Sequence, residues 1–224
     1  FVGKYLVEKP LMSCSMSWLY QGKNTQTQEP VWIKIPFDNA LTNPIYAASI
    51  RTERKLFEYL KHYNMLKLKD NLGDVLITEA PEAESFADYI HRKSPFTKID
   101  ILPYFQQLCD VLSYLHHQGV VHHNLRPESM VITKARDIRL IDLGLAFWAD
   151  FGDPLSETEL CPQGDKRYMA PEQSEGRRGD PRSDIYTLGV LLYLMLTGKT
   201  PSESEEELPI SVRPVISKAM YTNP

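Results

Sequence analysis

The chain has 224 residues with 42% hydrophobic and 24% charged side chains, enough for one sizeable domain or two small lobes around a real core. A net charge of −4 without a basic stripe argues against a broad nucleic-acid surface. Three scattered cysteines, Cys14, Cys109 and Cys161, point to a reducing compartment rather than a disulfide framework, and no apolar run reaches membrane-spanning length.

Lys4 to Val7 and Trp18 to Gln21 are short strand candidates. The polar stretch Asn24 to Pro30 predicts a turn before the β-rich run Val31-Trp32-Ile33-Lys34-Ile35, which Pro36 ends. Pro44 to Leu60 carries helical periodicity, with Ile50, Leu56, Phe57 and Leu60 apolar and Arg51, Glu53, Arg54 and Lys55 between them. Val75 to Ile77 is another strand, stopped by Pro81. Beyond a composition break at Glu79 to Glu84 the chain turns mainly helical. Ile101, Phe105, Leu108, Leu112 and Leu115 recur at spacings of four and three as one buried stripe, and Gly119 closes that helix. Met130 to Thr133 and Ile138 to Ile141 are β-like, Ala149 to Asp165 is a long loop, and Asp184 to Leu196 is an apolar buried helix closed by Gly198.

Several motifs stand in a telling order. Val31-Trp32-Ile33-Lys34 puts a lysine on a strand, and His122-His123-Asn124-Leu125-Arg126-Pro127-Glu128-Ser129 forms a polar loop. Asp142-Leu143-Gly144, Ala170-Pro171-Glu172 and Asp184-Ile185-Tyr186-Thr187-Leu188-Gly189 follow. In order and spacing they resemble the motif set of the eukaryotic-like (Hanks-type) protein kinase family, and the stretch from Tyr168 to Thr197 looks most like its bacterial branch. The resemblance covers almost the whole chain and implies an α+β, two-lobed fold. A small β-rich lobe with one helix would span residues 1–80, and a larger, mainly helical lobe residues 81–224, with its final helices cut off. Phe1 is not an initiator Met, so the chain reads as a fragment.

Against that pattern the catalytic positions are altered. Asn124 stands where the family has its catalytic-loop Asp, and a carboxamide can hold a hydroxyl but is no usable base. Ser129 stands for the Asn that holds the second magnesium, and Arg126 for the loop Lys. The three glycine positions of the phosphate-covering loop align with Met12, Cys14 and Ser17, whose side chains would hinder a close backbone approach. Trp32 replaces a small Ala against the adenine. If Thr78 is the gatekeeper, Pro81 removes a hinge N–H donor. Lys34, Glu53 and Asp142 survive as nucleotide-pocket remnants. Asp142 to Glu172 is long enough for an activation segment, with Ser156 and Thr158 as candidate acceptors in trans, but His123 replaces the phosphate-clamping Arg. Arg126 and Asp165 are expected to pair across the cleft.

These features together imply a pseudokinase: a catalytically inactive, non-enzymatic signalling domain acting as a protein-binding, regulatory or scaffolding module, with no cofactor. The alternative is a weak serine/threonine kinase that still takes ATP and magnesium through Lys34 and Asp142. Expected partners are another kinase, a cell-envelope protein or a second copy of the chain. No nucleic acid and no membrane segment in this stretch are expected. The expected setting is cytoplasmic, with a membrane tether elsewhere in the parent protein left open. His116, His117, His122 and His123 are expected to be structural rather than metal ligands, since no carboxylate or Cys joins them at ligand spacing. The acidic run Glu203 to Glu207 reads as solvated surface, and Trp18, Phe147 and Trp148 are candidates for a partner surface or the core.

Overall fold

A computed structural model of the chain describes residues 1–156, 163–203 and 208–221. Thr158, Cys161 and the acidic run beyond Glu203 lie outside the described residues.

In the N-terminal part, β1 (Tyr5–Ser13), β2 (Ser17–Asn24), β3 (Pro30–Pro36), β4 (Leu68–Leu72) and β5 (Val75–Glu79) form a five-stranded antiparallel sheet in the order β1-β2-β3-β5-β4. The alternation of β3 sorts its side chains. Val31 and Ile33 pack with Tyr5 and Ile77 on one face. Trp32 and Lys34 therefore share the opposite face, toward the rest of the molecule. At Gly22 strands β1 and β2 approach so closely that a Cβ would lie 2.4 Å from the Leu6 carbonyl oxygen, so only glycine fits.

After a short helix α1 (Asp38–Thr42), the helix α2 (Pro44–Tyr59) starts where its sequence signals place it. Asn43 accepts from the Ile45 and Tyr46 amides, and Pro44 fills the first helical position, where no N–H is needed. Its buried face carries Ala47, Ile50, Glu53, Leu56 and Phe57.

The larger lobe holds β6 (Ala83–Ser85), α3 (Phe86–Lys93), α4 (Lys98–His117), β7 (Val120–Val121), β8 (Met130–Thr133), β9 (Ile138–Leu140), β10 (Phe147–Trp148), α5 (Pro171–Ser174), α6 (Arg182–Thr197) and α7 (Arg213–Ala219). A Thr97/Asp100 capping box opens α4, whose buried stripe includes Ile101, Leu108, Leu112 and Leu115. Eleven of the sixteen residues of α6 are buried, which makes it the interior helix, and Gly198 ends it at φ 79 in the left-handed conformation. β6, β8 and β9 form a small sheet, and β7 pairs with β10. The result is an α+β fold with a sheet-built small lobe and a helical large lobe.

The lobes are joined by backbone and side chain. The Leu140 amide donates to Asn64 O at 2.8 Å, and Ser49 Oγ donates to Gly144 O at 2.6 Å. One core runs from Leu19 and Trp32 through Met130, Leu140 and Leu143 to Leu191. Among the described residues no helix is long and apolar enough to cross a membrane.

Candidate functional site

The inward alternation of β3 brings Lys34 Nζ to 2.5 Å from Glu53 Oε1 on α2 and 2.8 Å from Asp142 Oδ1 below. The three side chains are 4%, 6% and 1% exposed. Glu53 Oε1 also accepts from the Leu143 amide at 2.7 Å, so the helix, the strand and the Asp142 turn are locked to one another. One buried ammonium thus faces two buried carboxylates. Burial works against the charge of Lys34, but Asp142 and Glu53 outweigh it and raise its pKa well above the ordinary lysine value. Burial also opposes the charge of Asp142, yet Lys34 and bonds from Ser15 hold that carboxyl far below its usual range. Glu53 is pushed up by burial, against the pull of Lys34. Asp142 is bonded on its other side as well. Its second oxygen, Oδ2, accepts from the Ser15 amide at 2.8 Å and from Ser15 Oγ at 2.5 Å.

Beneath this lies the loop from His122 to Ser129. Buried Asp184 on α6 accepts from the His122 and His123 amides at 2.8 and 2.9 Å and meets His116 Nε2 at 2.8 Å. His123 adopts φ 58, and its Nε2 accepts from the Gly179 amide at 2.8 Å. Burial, with Arg178 nearby, lowers its pKa to about 4, which keeps the ring a neutral acceptor. His122 Nδ1 takes the Asn124 amide at 3.3 Å, and His117 Nδ1 meets the Ser113 carbonyl at 2.6 Å. His117, His122 and His123 each bond a backbone group, and His116 meets the Asp184 carboxylate that holds the loop amides.

Asn124 Nδ2 donates to Ser15 Oγ at 2.8 Å. Buried Ser129 is locked to its own loop: its hydroxyl accepts from Arg126 N at 3.1 Å and donates to Arg126 O at 2.7 Å. The expected Arg126–Asp165 pair does not form. Asp165 is held instead by Arg167, with nitrogens at 2.6, 3.1 and 3.2 Å from its oxygens, because a guanidinium two residues away closes the contact at little entropic cost. Arg126 Nε is left buried without a hydrogen-bond partner. Ser15, Tyr46, Asn124, Arg126 and Asp165 line a cavity of about 770 Å³ on this side of the cleft.

On the other side, Trp32 is 6% exposed and belongs to the core shared by Leu19 and Leu76. It stands opposite Thr78 on β5, which is itself buried, while half-buried Pro81 follows without an N–H to offer.

Contacts missed from sequence cluster around the segment after Asp142. Asp153 and Arg178 form a buried ion pair at 2.6 Å, and Arg178 Nη2 also donates to Leu145 O at 2.7 Å. Ser156 Oγ donates to Asp153 O. Trp148 is buried, whereas Trp18 is 41% exposed with its ring edge-on to Phe37. Ser15 itself gave no signal, lying between the positions matched to glycines.

A twisted sheet over a helical lobe, with a buried lysine–glutamate pair above an aspartate turn and an asparagine loop below it, defines a protein-kinase-like domain. The chain belongs to that family: the protein kinase domain model matches residues 5–221. Serine/threonine-protein kinase pkn2 of Myxococcus xanthus is 30% identical over 207 residues, 89% of this chain and 25% of its own length. Probable serine/threonine-protein kinase PknB of Lactococcus lactis is 24% identical, over 95% of this chain and 34% of its own. Serine/threonine-protein kinase PknL of Mycobacterium tuberculosis is 26% identical, over 93% and 53%. The chain thus spans between a quarter and about half of the length of these relatives.

Two expectations are corrected by this kinship. The domain belongs to a family whose relatives are named as protein kinases, so its reading as a non-enzyme does not stand. Nor does its reading as a domain without a cofactor, because protein kinases work on ATP with magnesium. Lys34 and Asp142 suit that group: a buried cation for phosphate oxygens beside a buried carboxylate for a metal ion. Ser129, turned onto its own loop, does not suit a second metal ion.

Proposed function

We propose that this is a slow serine/threonine-type protein kinase domain that binds ATP and magnesium through Lys34 and Asp142 and acts on a hydroxyl of a protein partner. The observation that carries this reading is the Lys34–Glu53–Asp142 cluster, closed at 2.5 and 2.8 Å. Glu53 positions Lys34 to meet phosphate oxygens, and Asp142 offers a carboxylate to the metal. Bound ATP–magnesium supplies the γ-phosphoryl group and neutralises its charge. Asn124, whose amide already holds one hydroxyl at 2.8 Å, would orient the acceptor without taking its proton. Loss of a general base lowers a rate by about 10²–10⁴-fold, so the reading predicts turnover well below that of an ordinary kinase. With transfer that slow, engaging and holding a protein partner is the second output of the domain. Another kinase, an envelope protein and a second copy of the chain are the partner classes to screen.

A thermal-shift titration with ATP and magnesium, followed by labelled-phosphate transfer to a generic protein substrate, tests the proposal. Binding and transfer that both vanish in Asp142→Ala support it. An unchanged melting temperature at millimolar nucleotide, with no transfer, would end it.

A further inference from the structure

We infer that the turn between β1 and β2 is a latch, in which Ser15 holds the Asp142–Asn124 site closed until nucleotide with magnesium lifts it. The inference rests on the nucleotide-binding reading above and adds a gate to it.

Ser15 makes three hydrogen bonds to two site residues far away in sequence. Its amide and hydroxyl both donate to Asp142 Oδ2, and its hydroxyl accepts from Asn124 Nδ2. The other Asp142 oxygen is already engaged by Lys34 and by the Gly144 amide at 3.2 Å. Every oxygen through which Asp142 would meet a metal ion thus has a partner from the protein itself. The two donated bonds occupy the oxygen that a cation would need, so latch and metal ion compete for one site.

The turn does not rest there loosely. Cys14 and Met16, on either side of Ser15, are both buried, Cys14 in the main core and Met16 in a separate cluster with Ile50 and Leu145. The Met16 carbonyl accepts from the Phe37 amide at 3.0 Å, and the Cys14 amide donates to Ser17 O at 2.9 Å. At Gly144 a Cβ would come within 3.4 Å of Ser15 Cβ, so turn and cleft floor are packed to contact. An ordinary phosphate-covering loop needs bare backbone. Here side chains anchor the turn downward.

When only the open form binds, affinity falls by the fraction of molecules that are open. Hydrogen bonds to a charged carboxylate are the strong kind, so the closed turn should weaken nucleotide binding by about ten- to a hundredfold.

The test compares wild type with Ser15→Ala, which deletes both hydroxyl bonds, and Met16→Ala, which loosens the anchor without touching Asp142. Calorimetric titration with ATP, with and without magnesium, gives the readout. The latch predicts about tenfold tighter binding in both variants, with the Ser15→Ala gain larger when magnesium is present, since the freed group is the metal-binding carboxylate. Equal affinity in all three proteins overturns the latch and leaves the nucleotide-binding reading intact. Binding by none of them overturns both.

Discussion

Asn124 presents an amide nitrogen 2.8 Å from Ser15 Oγ, where a carboxylate would accept a proton. Asn124→Asp restores a base at that position and should raise single-turnover phosphate transfer by about 10²-fold or more, measured with labelled ATP. Lys34 sits between two buried carboxylates, so Lys34→Ala leaves both unpaired and should cost about 3–5 kcal/mol in urea denaturation at neutral pH. Without the ammonium, Asp142 and Glu53 would titrate above their unfolded values near ~4, so stability is kept below that range and lost as pH rises. The deficit should therefore be smaller at acid pH than at neutral pH. His123 has the opposite sense. Its folded pKa of about 4 lies below the unfolded value near ~6.5, so its contribution is whole above that upper value and is lost as pH falls toward the lower one. Arg178, Asp184, Asp153 and His122 surround it, and burial depresses His122 in the same direction. Unfolding free energy should drop between those two pH values. His123→Asn, which tolerates the left-handed backbone, should flatten part of that slope.

At the scale of elements, the segment after Asp142 is held by a pair in which neither partner is a phosphate. Arg178, just before α6, binds both Asp153 and the Leu145 carbonyl. Either Arg178→Ala or Asp153→Ala should cost about 3–5 kcal/mol, and the double variant clearly less than the sum, as a denaturation double-mutant cycle would show. Which elements were legible follows from how local their signals are. α2 announced itself through a strong period running on from Pro44, and α4 through its stripe. β4 is the polar run Leu-Lys-Asp-Asn-Leu with a register shift between Leu68 and Asp70, so neither alternation nor apolarity marks it. α3 had a usable cap in Ser85 but only eight residues of pattern. The facing of Trp32 beside Lys34 follows from strand alternation alone. Ser15 was out of reach, because its partners lie 109 and 127 residues away and nothing in its neighbours points to them. The Arg126–Asp165 pairing fails for the reverse reason: Arg167, two residues away in the chain, takes both Asp165 oxygens.

For the whole molecule, the cleft is closed by groups from both lobes: Lys34 on Asp142, the Leu143 amide on Glu53, Ser49 on Gly144. A ligand that bridges groups from both lobes stabilises the domain as one unit. At a hundredfold excess over its dissociation constant, ATP with magnesium should add about 2.7 kcal/mol. For a domain of this size that raises the melting temperature by about 5–10 °C, read by scanning fluorimetry as a shift of one transition. The buried indole of Trp32 carries a further consequence for chemistry applied from outside. The indole narrows the room left beside Lys34, so purine-like inhibitors bulkier than adenine should bind this domain less well than ATP itself. Trimming that residue to alanine would restore the small side chain of the family pattern and should bring such inhibitors back, a gain that competition against ATP would read.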